Sequence, residues 1–138
     1  MATSFIIHSS STFEKDLTRL AKKYPQIRND IQEALAKVQT DLDALIRRCG
    51  NDIQEALAKV QSSKIIGDAI PGGKGKLYKL RVSSSDLKRG KSGGFRVIFY
   101  LKAPSSLYPL ICYFKGERGD VPIKDLEERA KELGLNII

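Results

Sequence analysis

Histidine, cysteine and tryptophan are scarce in this 138-residue chain, which has one His, two Cys and no Trp. The lone His8 excludes a paired-histidine acid and base, and Cys49 and Cys112 are too scattered to suggest a metal cluster. His8 reads as a strand residue. Two cysteines in different segments predict reduced thiols, as in a cytoplasmic protein, rather than a disulfide framework. Long apolar runs are missing too. Phe5, Ile6 and Ile7 are too few for a signal-peptide core, and no later segment approaches a membrane span, so a soluble protein with no membrane partner is expected. With 41% hydrophobic residues, the chain suits one domain over residues 1–138 that buries a core without staples.

What the chain does have is positive charge in one place. Between Lys64 and Lys102 stand ten Lys and Arg against Asp68 and Asp86, a net +8 that equals the charge of the whole protein. The 63 residues before sum to +1 and the 36 after to −1. A local field of this kind implies an anionic partner, and its strand-and-turn setting implies a folded, phosphate-facing surface. The plainer alternative is a solvated cationic loop.

A second feature is an internal repeat. Residues 29–39 read NDIQEALAKVQ and residues 51–61 repeat the same eleven letters, with TDLDALIRRCG between them, a period of 22. Chance does not produce such identity; a tandem duplication or deliberate engineering does. Two copies do not make a stacked array. Because 22 residues is close to six helical turns, the apolar stripe keeps its phase through Ile27, Ile31, Leu35, Val38, Leu42, Leu45, Cys49, Ile53, Leu57 and Val60. One continuous helix would be roughly 50 Å long, and part of its apolar face would need a second copy of the chain to cover it. The favoured reading breaks the helix at Gly50 as the C′ residue, with Asn51 or Asp52 capping a new one. A third reading lets either copy dock in one site while the other loops out, since doubling a loop costs only about 0.6 kcal/mol.

The remaining periodicities are simpler. Residues 3–8 read as a strand, and Ser11 with Glu14 reads as a capping box for a helix whose inner face is Phe13, Leu17, Leu20 and Tyr24. Pro25 suits the first turn of the next helix. Residues 76–82, 94–102 and 107–115 alternate as three strands, with Pro109 marking a late start or an irregular edge. Residues 123–133 close the chain as a helix, with Leu126, Ala130 and Leu133 inward. The pattern predicts an α+β fold: a small antiparallel sheet of about four strands with helices on one face.

Alternation assigns side chains to sheet faces. Lys79 and Arg81 alternate with Tyr78, Leu80 and Val82, and Arg96 and Tyr100 with Phe95, Val97 and Phe99. Tyr113 and Lys115 oppose Cys112 and Phe114. One face is expected to be apolar, and the other to present Lys79, Arg81, Arg96, Tyr100, Tyr113 and Lys115 to one groove. Tyr100 and Tyr113 would stack on bases or simply pack in the sheet. Gly90, Lys91 and Ser92 look like the end of a P-loop, but Ser85 stands where its first glycine is needed and a strand follows, so nucleotide binding is rejected.

The run from Tyr78 to Tyr100, YKLRVSSSDLKRGKSGGFRVIFY, and YFKGERGDV from Tyr113 to Val121 resemble the RelE/HigB branch of the RelE/ParE superfamily, toxins of bacterial type II toxin–antitoxin systems. The likeness covers nearly the whole chain except the inserted 22 residues, and its most specific parts are KSGGFRV and the Lys-x-Glu-Arg-x-Asp segment. It implies a microbial RNase-like fold that cleaves messenger RNA, commonly on the ribosome, without a metal or other cofactor, and an antitoxin protein as partner. The reaction it implies is attack of a ribose 2′-OH on the neighbouring phosphate. That chemistry needs a base, cations at the phosphorane and a donor for the leaving oxygen, none of which must be histidine.

By this resemblance Lys79 and Arg81 match the family's basic strand positions and Arg96 its phosphate-contacting arginine. Lys115 and Arg118 would stabilise transition-state charge or protonate the leaving group, with Glu117 as candidate base; a surface ion pair is the other reading of Glu117 and Arg118. Lys76, Lys88, Arg89 and Lys91 would hold RNA backbone. Two positions depart from the pattern: Gly116 stands where ribosome-dependent relatives have a catalytic arginine, and Pro122 where they have a tyrosine. The rival readings are a ParE-like toxin that binds a protein such as DNA gyrase, and an RNA-binding module without catalysis.

Overall fold

The computed structural model describes residues 6–52, 55–56, 58–60, 66–73, 76–86, 94–102 and 106–136. The elements are β1 (Ile6–Ile7), α1 (Ser11–Ala21), α2 (Ile27–Arg48), a helical turn at residues 55, 56 and 58–60 (α3), β2 (Asp68–Ala69), β3 (Leu77–Val82), β4 (Phe95–Lys102), β5 (Ser106–Phe114) and α4 (Ile123–Glu132). No described helix is long and apolar enough to cross a membrane. Cys49 and Cys112 are both buried free thiols.

The α+β class holds, but among the described residues the sheet is mixed and has five strands rather than about four, in the order β1-β5-β4-β3-β2. β1 lies parallel to β5, pairing Ile6 with Ser106 and Ile7 with Leu107, while the other pairs are antiparallel. A parallel neighbour needs a crossover, and α1 and α2 begin the connection that returns to it. β1 falls within the strand read over residues 3–8, of which residues 3–5 lie outside the described residues, whereas β2, two residues long, carries too little alternation to be read from sequence. A register irregularity between Ile98 and Phe99 sets Pro109 opposite Phe99.

Helices cover both sheet faces, not one. Phe13, Leu17, Leu20, Tyr24, Ile31 and Leu35 pack on Tyr78, Phe95, Val97 and Phe99 from one side. On the other, Leu126, Ala130 and Leu135 pack on Leu77, Ile98, Tyr100, Ile111 and Tyr113. Burying these side chains is worth about 1.5–3 kcal/mol apiece for the larger ones, which anchors the sheet between two layers.

Local chemistry sets the helix ends. Ser10, not Ser11, caps α1: its Oγ accepts from Phe13 N at 3.2 Å, while Ser9 Oγ donates to Glu14 at 2.8 Å. Pro25 lies in the turn before α2, whose first residue is Ile27, and the Asp86 carboxylate accepts from Gln26 N at 2.9 Å. The stripe does break at Gly50. Gly50 and Asn51 have φ of 63° and 65°, Gly50 N donates to Arg47 O and Asn51 N to Ile46 O, which together make a Schellman cap. Asp52 then accepts from Glu55 N at 3.1 Å and opens α3. The single rod is therefore excluded. The first copy of the repeat lies in α2, where Ile31, Leu35 and Val38 are buried; in the second, Ala56 and Val60 are buried, and Ile53 and Leu57 lie outside the described residues.

Beyond its short pairing with β1, the outer side of β5 is closed by an ion pair. Asp16 accepts from Cys112 N at 3.1 Å and from Arg129 at 2.7 Å, and Arg129 also donates to Leu110 O at 3.0 Å. These contacts join α1 to α4 across the edge and occupy a backbone donor and acceptor that another strand could pair with.

Candidate nucleic-acid interface

The β3–β4–β5 ladder builds the site in rows. Register pairs Arg81 with Arg96 and Arg96 with Tyr113, so these three side chains form one row on the face opposite α1 and α2. The next row is Lys79, Ile98 and Ile111, and the third is Leu77, Tyr100 and Tyr108. The face expected to be cationic throughout is therefore cationic at one end and apolar at the other, because α4 covers the apolar end. At the cationic end Gly94 lets the entry to β4 run close against the end of β3; a Cβ there would collide with the Val82 carbonyl oxygen.

Arg96 is the buried centre of the row, 4% exposed, with its guanidinium donating to Phe95 O at 3.1 Å. Burial first, and then the facing Arg81, lower its pKa, while Tyr113 and Asp68 oppose the shift. Tyr113 has its phenol pKa raised by burial, with Lys79 and Arg96 pulling the other way. The Arg118 guanidinium sits 5.8 Å from the centre of the Tyr113 ring.

Carboxylates come to meet these cations. Lys79 pairs with Asp120 at 3.3 Å, Arg81 with Asp68 at 3.8 Å and Arg118 with Asp125 at 3.7 Å. Among the described residues, Lys79, Arg81 and Arg118 at this end of the face each face a carboxylate, with Arg96 at the centre of the row. Such solvent-exposed pairs are worth about 0–1 kcal/mol and yield readily to an incoming anion.

The other candidate residues distribute unevenly. Glu117 pairs with Arg19 of α1 at 3.2 Å, and its charge is felt at Cys112 on the face that α1 and α2 cover, so it is not gathered into the arginine row. Lys115 is exposed in the turn after β5. Lys76 precedes β3 at the far, apolar end, where its carbonyl accepts from Leu101 N. Tyr100 is 5% exposed beside Tyr108 and packs under α4, so it offers no open ring face for stacking. Lys88, Arg89 and Lys91 lie outside the described residues.

Next to the arginine row a cleft of about 290 Å³ is lined by Asp68, Lys79, Ile98, Tyr113 and Asp120, with Pro71 and Val121 at its sides. Sequence reasoning passed over both carboxylates. Asp68 sits on a strand too short to announce itself, and Asp120 is brought to Lys79 only by the turn that follows β5. No family model matches this chain, and no curated protein matches it either.

Proposed function

We propose that the cationic end of the sheet takes the phosphodiester backbone of RNA, and that the protein is a metal-independent endoribonuclease, the toxin partner of an antitoxin, acting on messenger RNA at the ribosome. The row formed by Arg81, Arg96 and Tyr113, with Lys79 beside it, carries this reading. Two guanidinium groups on adjacent strands match the spread of charge on a phosphate, and a partly buried setting strengthens them. In the reaction the 2′-oxygen bonds to phosphorus as its proton leaves, the bond from phosphorus to the 5′-oxygen breaks, and that oxygen takes a proton. Arg81 and Arg96 hold the extra negative charge of the phosphorane, Lys79 adds to the same field, and Lys115 and Arg118 approach from the turn after β5.

One observation favours a second reading, RNA binding without cleavage. Glu117, the base that the resemblance suggests, is engaged with Arg19 and would have to leave that pair to accept a proton. A protein-binding toxin of the ParE kind has no need of the arginine row. The test is a translation reaction with purified protein and primer extension on the message. Discrete cuts that vanish in Arg81→Ala and in Arg96→Lys, with unfolding midpoints not lowered, support the endoribonuclease. Salt-sensitive RNA binding without cuts supports the silent module, and DNA breaks without RNA cuts support the gyrase-type reading.

A further inference from the structure

Carboxylates are unwelcome in a site built only for phosphate, yet Asp120 and Asp68 line the cleft beside the arginine row. Asp120 has no packing role: its side chain is 95% exposed. An acceptor-only group facing a cleft calls for a ligand with N–H donors, and a nucleic acid has them on its bases.

Resting on the reading that the row binds RNA phosphate, we propose that the cleft reads a guanine base, through the Lys79 and Asp120 pair. Guanine presents a carbonyl oxygen followed by two adjacent N–H donors along its pairing edge. An ammonium held 3.3 Å from a carboxylate is the complement of that order: Lys79 donates to the carbonyl, and the two oxygens of Asp120 accept from the ring and exocyclic nitrogens. Uracil offers the carbonyl and one N–H, then a second carbonyl that the carboxylate repels. Adenine and cytosine lack the carbonyl that Lys79 needs at that place on the edge.

Size and position fit as well. A volume of about 290 Å³ is just below the range of about 300–1,000 Å³ that holds whole drug-sized ligands, which suits a single base. Ile98, Pro71 and Val121 give the cleft apolar surface for the ring faces. Lys79 is two residues from Arg81 on β3, about 7 Å along the strand, which is the reach from a phosphate to its own base. Phosphate contacts by the arginines would set position, and the cleft would add sequence preference.

The experiment uses fluorescent 2′-O-methyl uridine octamers, which cannot be cut by 2′-OH attack, with one central position as G, A, C or U. Fluorescence anisotropy of the full-length protein should show the G octamer bound on the order of tenfold more tightly than the U octamer. Asp120→Asn should bring the two within about twofold without weakening the U octamer. Asp125→Asn removes an anion outside this cleft and should leave the G preference intact, which separates base reading from bulk charge. Equal binding of all four octamers overturns the inference, as does a G preference that survives Asp120→Asn or is lost in Asp125→Asn. Uniform binding that still depends on Arg81 would sink the guanine assignment and leave the RNA surface standing; no binding of any octamer would sink both.

Discussion

Arg81 and Arg96 stand directly opposite each other across the β3–β4 ladder, a like-charge pair at the centre of the cationic end of the sheet. Cross-strand neighbours of the same sign oppose folding, and burial of Arg96 sharpens the effect. The nearby Asp68 carboxylate offsets part of it. On the reading proposed above, a bound phosphate would add to that offset.

Arg81→Thr should therefore stabilise the free protein by about 0.2–1 kcal/mol while weakening RNA binding. Urea unfolding and anisotropy on the same preparation check it. A variant that loses stability and affinity together would show that Arg81 serves the fold rather than the ligand.

Asp16→Ala should cost about 3 kcal/mol, because it strands the Arg129 guanidinium and the Cys112 N–H at the edge of β5. The opened edge should also promote self-association. Chemical denaturation gives the first effect and light scattering the second; a monomer of unchanged midpoint would refute the edge-sealing role.

Glu14 supplies a pH dependence of known sign. A hydrogen bond from Arg28 first, and one from Ser9 second, hold its pKa below the ordinary 4.5. A depressed carboxyl pKa contributes stability above the unfolded value that fades as pH falls through the folded one. The melting temperature of the native chain should thus fall more steeply below pH 4.5 than that of Glu14→Gln, and parallel curves would contradict the assignment.

Deleting residues 29–50 should leave a cooperatively folding protein of lower stability. The second copy then follows Arg28 in the same helical phase and can seat its apolar stripe where Ile31, Leu35 and Val38 now lie, whereas the burial of Leu42, Leu45 and Cys49 is lost. A broad, non-cooperative thermal transition would show that both copies are needed.

Much of the helical layer was legible because its signals are local. The stripe from Ile27 to Cys49 is buried as its spacing requires, and the stop at Gly50 and restart at Asp52 depend on hydrogen bonds that span no more than five residues. Ser10 displaced Ser11 as the cap of α1 because adjacent serines offer the same oxygen and only backbone geometry chooses between them. Alternation likewise assigned Lys79, Arg81, Arg96 and Tyr113 to one face, and the ladder brings them there.

By itself, then, the order of residues determined helix phase, the break at Gly50, the three long strands and which cations share a face. All follow from forces acting within a few positions along the chain. Tertiary structure alone decided that β1 returns beside β5, that α4 buries Tyr100 on the far face, that Glu117 turns to Arg19, and that Asp120 meets Lys79 from 41 residues away. Those outcomes depend on which surfaces can be buried together and which charges then find counter-charges, and neither leaves a periodic mark on the sequence.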